Sequence, residues 1–340
     1  RGGPRWFDGG MTRILILSGT GWLGSRIAQR WVDRGAEVTC LARGHRAAPA
    51  GVRLVVADRA APDAYREVAD GDWDEVVDVS SVPVHVRAAA DALGGRAAHA
   101  TYVSSVSVYA GAEEEGADET AEIVPAWQDG DEEDYARAKA AAERAADGLA
   151  ARLAIVRPGL IVGPGDPTDR FGYWPGRFAA AADGPVLVPQ TEGRVQVIDV
   201  DDLADFIVAA GARAFEGVVN AVGEPHPFAG FVALVQRLSG HTGQVQVAPG
   251  DWLERHGVSH WMGPRSLPLW LPDDMPGFAT RSNAAYRAAG GRIRPLAETT
   301  ARVLDDERAR GVSRSRGSGL ERAAELDLLR ILAEGSATVS

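Results

Sequence analysis

The sequence contains a single cysteine, Cys40, and no run of apolar residues long enough to cross a bilayer. One cysteine excludes an internal disulfide framework and is typical of a protein kept in a reducing cytoplasm. A membrane-spanning helix needs roughly 18 consecutive apolar residues. Cysteine and histidine are too scattered for a zinc site, and the acidic stretch at 112–120 lacks the ligand spacing of a calcium site. We therefore expect a cytoplasmic protein with no bound metal and no membrane contact.

Positive charge is also in short supply. The chain has 36 lysine and arginine residues against 47 aspartate and glutamate residues, a net charge of -11. Such a surface repels phosphate backbones, so we do not expect nucleic acid as a partner. The expected partner is a small-molecule substrate. The 340 residues are 45% hydrophobic, which is enough for a large buried core. Residues 1–10 lack the apolar centre of a signal peptide, so we interpret them as a flexible leader or as an expression remnant outside the fold, and we predict a disordered tail at 336–340.

Apolar strands alternate with helical segments through the first half of the chain. This alternation predicts right-handed crossovers and a parallel sheet with helices on both faces, the doubly wound α/β class of the Rossmann fold. The predicted strands lie at 13–19, 37–43, 52–58, 74–81, 99–109 and 152–159, and the predicted helices at 22–35, 62–69, 83–93 and 132–148.

The alternation breaks after Gly159. Residues 161–192 are rich in glycine, proline and aromatics, whereas 193–225 return to a strand followed by a helix. We predict a dinucleotide-binding domain over 11–160 with 193–225, and a smaller substrate-binding region over 161–192 and 226–335. Within that region, "RSRGSG" at 314–319 has the composition of a flexible connection before a last amphipathic helix.

A glycine-rich turn joins the first predicted strand to the first predicted helix. In the pattern G-x-G-x-x-G, the first glycine permits a tight turn, the second lets the backbone approach a pyrophosphate, and the third lets the helix pack close to the strand. The helix N-terminus adds free N–H groups and partial positive charge. The predicted pyrophosphate-binding segment consists of Gly19, Thr20, Gly21, Trp22, Leu23 and Gly24.

The second predicted strand ends at Arg43, where an acidic residue would bind both hydroxyls of the adenosine ribose and repel a 2′-phosphate. Arg43, together with Arg46, has the charge to hold that phosphate. The sequence therefore favours NADP(H), while NAD(H) stays possible. Asp58, after the third strand, is a candidate acceptor for the adenine amino group, and an ordinary strand-end turn is the alternative.

Tyr135 and Lys139 are four residues apart and therefore share one face of a predicted helix. An ammonium group near a phenol lowers the phenol pKa from its usual value of about 10. A tyrosine of this kind exchanges a proton with a carbonyl or alcohol oxygen near neutral pH. Upstream, "YVSSVSVYAG" places hydroxyl groups at the carboxyl edge of the sheet, where open α/β sheets bind ligands.

The glycine loop, "VSSVSVYAG", "YARAK" and "VRPGLIVGPGD" occur in an order that resembles the short-chain dehydrogenase/reductase superfamily. The layout is most similar to its extended and atypical branch, the NAD(P)-dependent epimerase/dehydratase-like proteins, over roughly 11–225. The resemblance implies a catalytic serine at Ser105, four residues before Tyr109. It also implies acid/base chemistry at Tyr135 with Lys139 as its partner.

The same resemblance implies that Pro158 and Gly159 form the turn beside the nicotinamide. Ser18 departs from the branch, which has glycine there. No asparagine in 77–86 matches the one found upstream of the serine in classical members. Ser80 or Ser81 is therefore the candidate for lining the nicotinamide pocket. Relatives that dimerise through two helices per subunit make a homodimer possible.

The loop after the nicotinamide-side turn supplies three candidate substrate residues. Arg170 has the charge to pair with an anionic substrate, and Tyr173 and Trp174 have rings that stack on a substrate ring; aromatic packing at a hinge is the alternative. We predict an NADP(H)-dependent oxidoreductase that acts on a small carbonyl or alcohol. The alternatives are an NAD-dependent nucleotide-sugar epimerase or dehydratase, and a binding protein that keeps the fold without catalysis.

Overall fold

The structure, a computed structural model, describes residues 11–337. The predicted leader at 1–10 lies outside the described residues, as do positions 338–340 of the predicted tail. Within the described range, no helix combines the length and apolar character that a membrane crossing requires.

A helix follows β1, β4 and β5, whereas β2, β3 and β4 succeed one another with no helix between them, and the strand–helix–strand order returns from β10 to β11. The strands are β1 (Arg13–Leu17), β2 (Glu37–Ala42), β3 (Arg53–Val56), β4 (Trp73–Asp78), β5 (Ala97–Val103), β6 (Leu153–Pro158), β7 (Leu160–Val162), β8 (Val186–Pro189), β9 (Arg194–Val195), β10 (Val197–Asp199), β11 (Gly217–Ala221), β12 (His226–Pro227), β13 (Val245–Ala248), β14 (Ser259–Trp261) and β15 (Ser266–Pro268). The helices are α1 (Trp22–Asp33), α2 (Pro83–Leu93), α3 (Tyr135–Ala146), α4 (Tyr173–Ala181), α5 (Val200–Ala212), α6 (Phe228–Ser239), α7 (Gly250–Arg255), α8 (Ala284–Ala288), α9 (Leu296–Arg310) and α10 (Arg322–Ala337).

Seven parallel strands form the central sheet in the order β3-β2-β1-β4-β5-β6-β11. The strand order reverses at β1, which pairs with β2 on one side and β4 on the other. Ligands of open α/β sheets bind beyond the carboxyl ends of the strands at such a reversal. The predicted doubly wound α/β fold is confirmed, and the reversal places the ligand crevice at the ends of β1 and β4.

Side chains of β1 alternate between two buried layers, as expected for a strand covered on both faces. Ile14 and Ile16 pack in the layer that contains α1 and α5, whereas Leu15 and Leu17 pack in the layer that contains α2 and α3. All four are 0% exposed. Burying this much branched apolar surface fixes β1 at the centre of the sheet.

The C-terminal region has an aromatic core of its own. Phe171, Tyr173, Trp174, Phe178 and Phe231 are all buried there and belong to one apolar cluster. The Trp174 indole donates a hydrogen bond from Nε1 to the backbone oxygen of Pro268 at 2.7 Å. This core ties α4 and α6 to β15, beside the carboxyl ends of the central strands.

Two predicted elements differ in the structure. The predicted helix at 62–69 is a series of turns, in which Ala64 and Val68 donate to carbonyls three residues back. Proline and aspartate open this short segment, and burial of the Tyr65 ring fixes its path. The predicted fifth strand stops at Val103, and a short 3-10 helix spans Val106–Val108.

The predicted flexible connection at 314–319 is instead tied to the body of the protein. Arg314 donates to Glu307 at 2.8 Å, and Arg316 donates to the same carboxylate at 2.6 Å. The Gly317 amide donates to Asp169 at 3.0 Å, and Ser318 is 3% exposed. Composition alone suggested mobility, whereas these tertiary ion pairs hold the segment in place.

Candidate active site

The three glycines of the predicted loop differ in what surrounds them. A Cβ at Gly19 would lie 2.2 Å from the sulfur of Cys40, and one at Gly24 would lie 2.8 Å from the Ser18 oxygen. At Gly21 the nearest atom is that same oxygen, at 3.5 Å. Protein packing therefore requires glycine at 19 and 24. The space beside Gly21 is left open to a ligand.

The loop also presents unpaired backbone donors. Helix α1 begins at Trp22, and no side chain of the described residues caps its N-terminus. Ser18 adopts a left-handed φ of 69°, a conformation that glycine tolerates more easily than serine. An uncapped helix N-terminus over an open glycine fits a pyrophosphate. The residues present at this loop therefore fit a dinucleotide cofactor.

Gly21→Ala is expected to weaken NADPH binding by about tenfold or more while leaving the melting temperature nearly unchanged, because its methyl group enters the open space. Gly19→Ala is the matched control. Its methyl group overlaps Cys40, and overpacking of this kind costs about 1–3 kcal/mol of stability. Calorimetric titration and thermal unfolding of both variants measure the difference. Equal losses of stability would contradict the assignment of Gly21 to the ligand.

A cavity of about 850 Å³ lies at the carboxyl ends of the central strands. Ser105, Tyr135 and Lys139 all line it, together with Pro158 and Gly159. The glycine loop reaches the same cavity at Gly21, Trp22, Leu23 and Gly24. The structure thus brings the predicted hydroxyl, phenol and amine together beside the predicted cofactor loop.

Tyr135 is the first residue of α3 and lines the cavity together with Ser105, whose side chain acts to lower the phenol pKa. The Ser105 hydroxyl donates to the Ser107 hydroxyl at 3.1 Å and accepts from the Ser107 amide at 3.1 Å. Desolvation raises the pKa of Tyr135, while the Ser105 hydrogen bond and the charge of Arg170 act in the opposite direction. The pKa of Tyr135 therefore lies above its usual value, and not below it as its spacing from Lys139 predicted.

Lys139 is 3% exposed and is bound by three acceptors. Its Nζ donates to the backbone oxygens of Val103 at 2.7 Å and Ser80 at 2.9 Å, and to the Tyr102 hydroxyl at 3.2 Å. Burial lowers the pKa of Lys139 to about 8, against the opposing effect of nearby carboxylates. These acceptors hold the ammonium at the cavity floor and away from a direct bond with the Tyr135 hydroxyl.

The amino-acid composition also singles out Lys139. Lys139 is the only lysine in the chain, and the other 35 of its 36 lysine and arginine residues are arginines. A pocket that needs an amine of adjustable pKa cannot use arginine, which stays charged above pH 12. The presence of one lysine in an arginine-rich sequence therefore indicates a chemical role.

A second cavity, of about 430 Å³, adjoins the first at Gly21 and contains the end of β2. Arg43 and Arg46 line it as exposed side chains without an ion pair among the described residues. Thr20 lines it as well. Asp58 also reaches this cavity. Its Oδ1 accepts from the Ala60 amide at 3.0 Å, a bond typical of the strand-end turn that was the alternative to adenine binding.

Ser80 and Ser81 lie in this second cavity and do not line the larger one. Their predicted place beside the nicotinamide stays a prediction. The Ser80 hydroxyl accepts from the Val82 amide at 3.1 Å, and its carbonyl accepts from Lys139. Ser80 therefore supports Lys139 and the wall of the smaller cavity.

Sequence reasoning missed a buried ion pair beneath the second cavity. Arg59 donates to both carboxylate oxygens of Asp78, at 2.8 and 2.6 Å, and the two side chains are 5% and 0% exposed. The Tyr65 hydroxyl accepts from Arg59 at 2.8 Å. The signal was present, because an aspartate ending the apolar strand β4 needs a cationic partner when it is buried.

Of the three candidate substrate residues, one lines the large cavity. Arg170 does so, and its guanidinium lies 5.2 Å from the centre of the Trp261 ring. Tyr173 and Trp174 are 1% and 0% exposed within the C-terminal core. Stacking on a substrate ring is excluded for side chains buried in this way, so the alternative of aromatic packing describes them.

No group of three or more histidine, cysteine, aspartate or glutamate side chains in the described part of the chain is arranged to hold a metal ion.

The sheet order, the glycine loop and the cavity at the strand ends define a Rossmann-type protein of the extended short-chain dehydrogenase/reductase class. The model of the NAD dependent epimerase/dehydratase family matches residues 14–222, more than half of the chain. The chain belongs to this family, whose members are enzymes of the superfamily that the motifs resembled. Comparison with curated proteins gives no match.

Solved structures with the same fold include three that illustrate its range. A candidate epimerase of Burkholderia cenocepacia is 23% identical, with a TM-score of 0.70 over 88% of this chain and 98% of that one. UDP-glucose 4-epimerase of Thermus thermophilus, solved with NAD, is 21% identical, with a TM-score of 0.62 over 88% and 100%. RMD of Pseudomonas aeruginosa, solved with NADPH, is 16% identical, with a TM-score of 0.62 over 88% and 100%.

Proposed function

We propose that the protein is an NADP(H)-dependent oxidoreductase that interconverts a small carbonyl compound and its alcohol. The observation that carries the proposal is the meeting of Ser105, Tyr135 and Lys139 in one cavity that the glycine loop also lines. A nicotinamide cofactor supplies or accepts the hydride in this chemistry.

Tyr135 is the proton donor in this proposal. Its raised pKa keeps the phenol protonated at neutral pH, as a general acid for carbonyl reduction requires. Ser105, which lines the same cavity, orients the substrate oxygen. Lys139 keeps its proton below about pH 8 and places a positive charge beside the cofactor, while Val103, Ser80 and Tyr102 accept its three N–H groups.

The cavity lining argues against dehydration. Elimination of water from a sugar needs groups that remove a proton from carbon and protonate the leaving hydroxyl. Among the described residues, no aspartate, glutamate or histidine lines the large cavity. Tyr135 alone does not supply both roles at once, so an oxidoreductase is the simpler function for this site.

Arg43 and Arg46 support NADP(H) over NAD(H). Both line the smaller cavity, and neither has a carboxylate partner among the described residues. The acid that would hold the ribose hydroxyls and repel a 2′-phosphate is missing from the end of β2. Two unpaired guanidinium groups at this position offer charge-assisted bonds to the phosphate.

The second candidate is a nucleotide-sugar epimerase that retains NAD. Membership in the epimerase/dehydratase family and the fold shared with UDP-glucose 4-epimerase favour it. Arg194, an exposed cation in the large cavity, is also suited to a diphosphate.

We further propose a homodimer, in which α2 and α3, packed side by side, form the contact helices.

Net consumption of NADPH separates the two candidates. The purified protein, incubated with NADPH and a panel of small aldehydes and ketones, is expected to oxidise NADPH in step with alcohol formation, and NADH more slowly. A dinucleotide that survives purification, with nucleotide-sugar isomers formed and no NADPH consumed, would identify the epimerase instead. Absence of both dinucleotide binding and turnover would leave the non-catalytic alternative.

A further inference from the structure

The charges that line the large cavity are all of one sign. Lys139, Arg170 and Arg194 are its charged side chains, and among the described residues no carboxylate joins them. The chain as a whole carries a net charge of -11. A positive cavity in an acidic protein is complementary to an anionic ligand.

Arg170 is one of the cations of this cavity that are free to bind such a ligand. Its Nε donates to the Thr168 hydroxyl at 3.3 Å, and neither of its terminal nitrogens has a hydrogen-bond partner among the described residues. The neighbouring Asp169 pairs with Arg310 and Arg314 instead. Asp166 is bound to Thr168, and Arg170 forms no ion pair with it.

This arrangement leaves a half-buried guanidinium with an open fork. Desolvation lowers the pKa of Arg170, which is the mark of a charge that protein carboxylates only partly compensate. The centre of the Trp261 ring lies 5.2 Å from the guanidinium carbon, within the range of a cation–π contact. A planar fork with both terminal nitrogens free matches the two oxygens of a carboxylate.

Arg170 also lies near the reacting group. Arg170 and Tyr135 line the same cavity, and the positive charge of Arg170 acts to lower the pKa of the Tyr135 phenol. The wall around them is largely apolar and includes Met262, Leu269 and Phe278. A ligand that binds both Arg170 and Tyr135 therefore carries its anionic group close to its reactive oxygen. The rest of such a ligand is apolar.

We propose that the substrate is a 2-oxo acid, or the corresponding 2-hydroxy acid, whose carboxylate binds Arg170 and whose apolar chain lies against Met262 and Phe278. This inference rests on the proposed oxidoreductase function. In the reductive direction the carbonyl carbon gains a hydride from NADPH and the oxygen gains a proton from Tyr135. The products are the 2-hydroxy acid and NADP⁺, and Tyr135 regains its proton from solvent.

The test compares an acid with its ester. Calorimetry with saturating NADP⁺ measures binding of 4-phenyl-2-oxobutanoate and of its ethyl ester, and steady-state assays with NADPH measure their reduction. Wild type is expected to bind the acid at least about tenfold more tightly than the ester, because a charge-assisted fork is worth that much. Arg170→Met should remove this preference without weakening ester binding, and Arg170→Lys should keep part of it.

Arg237→Met is the matched control, because Arg237 is an exposed arginine of α6 outside the cavity. It should bind and reduce both compounds as wild type does. Equal affinities for acid and ester in wild type, or unchanged acid binding in Arg170→Met, would overturn the proposal. Tight binding of UDP with no binding of the acid would also overturn it. Charge-selective binding without reduction would support the role of Arg170 while rejecting the oxidoreductase function.

Discussion

Tyr135→Phe is expected to lower kcat/KM for carbonyl reduction by about 10²- to 10⁴-fold, the usual contribution of a positioned general acid. The substitution removes the phenol that lines the cavity together with Ser105 and serves as the proposed proton donor. Stability and NADPH affinity should change little, because Tyr135 is 55% exposed. Steady-state kinetics, thermal unfolding and calorimetric titration of NADPH together measure this result.

The same substitution at Tyr109 provides the control. The Tyr109 hydroxyl donates to Asn220 at 2.6 Å and accepts from Arg157 at 3.0 Å, within a buried network away from the cavity. Tyr109→Phe should therefore cost about 1–3 kcal/mol of stability, as expected when buried polar groups lose a partner, while turnover persists. Undiminished turnover by Tyr135→Phe would reject the catalytic assignment.

Arg43→Ala is expected to weaken NADPH binding by about 10- to 100-fold and to leave NADH binding almost unchanged. A charge-assisted hydrogen bond to a phosphate is worth about 1.5–3 kcal/mol, and only NADPH carries the 2′-phosphate. Addition of Arg46→Ala should widen the difference. The dissociation constants of both cofactors, measured by calorimetry at fixed ionic strength, test this prediction, since salt screens exposed charges.

Arg53→Ala is a suitable control because Arg53 is an exposed arginine at the start of β3 that pairs with Glu67 at 3.3 Å and lies outside both cavities. It should bind both cofactors as wild type does. Equal weakening of NADPH and NADH by Arg43→Ala would remove the argument for the 2′-phosphate and favour NAD.

The central sheet and the cofactor loop follow from local sequence patterns. Apolar runs such as Arg13–Leu17 are predictable because a strand buried on both faces has few polar residues. The glycine loop is predictable because its backbone geometry excludes side chains at Gly19 and Gly24. Tyr135 and Lys139 were placed together for a similar reason, since residues four apart share a helix face.

Features that depend on distant partners were beyond the sequence. The i, i+4 spacing suggested that Lys139 acts on the Tyr135 phenol. In the structure the Lys139 ammonium instead donates to the carbonyls of Ser80 and Val103, which lie at or just after the ends of two strands. The 314–319 segment has a loop composition, yet Glu307 and Asp169 hold it against the cavity. Tyr173 and Trp174 follow a predicted substrate loop, but α4 begins at Tyr173 and carries both rings into the core.

The near-complete use of arginine has a consequence for the outside of the molecule. With the chain's one ε-amino group enclosed at the pocket floor, the basic groups on the exterior are guanidinium groups, apart from histidine and the chain terminus. Reagents that acylate lysine have no exterior target of that kind, and the exterior basic charge persists far into the alkaline range. Lysine-side-chain acylation, distinguished from labelling of the terminal α-amino group, therefore reports access to the pocket floor.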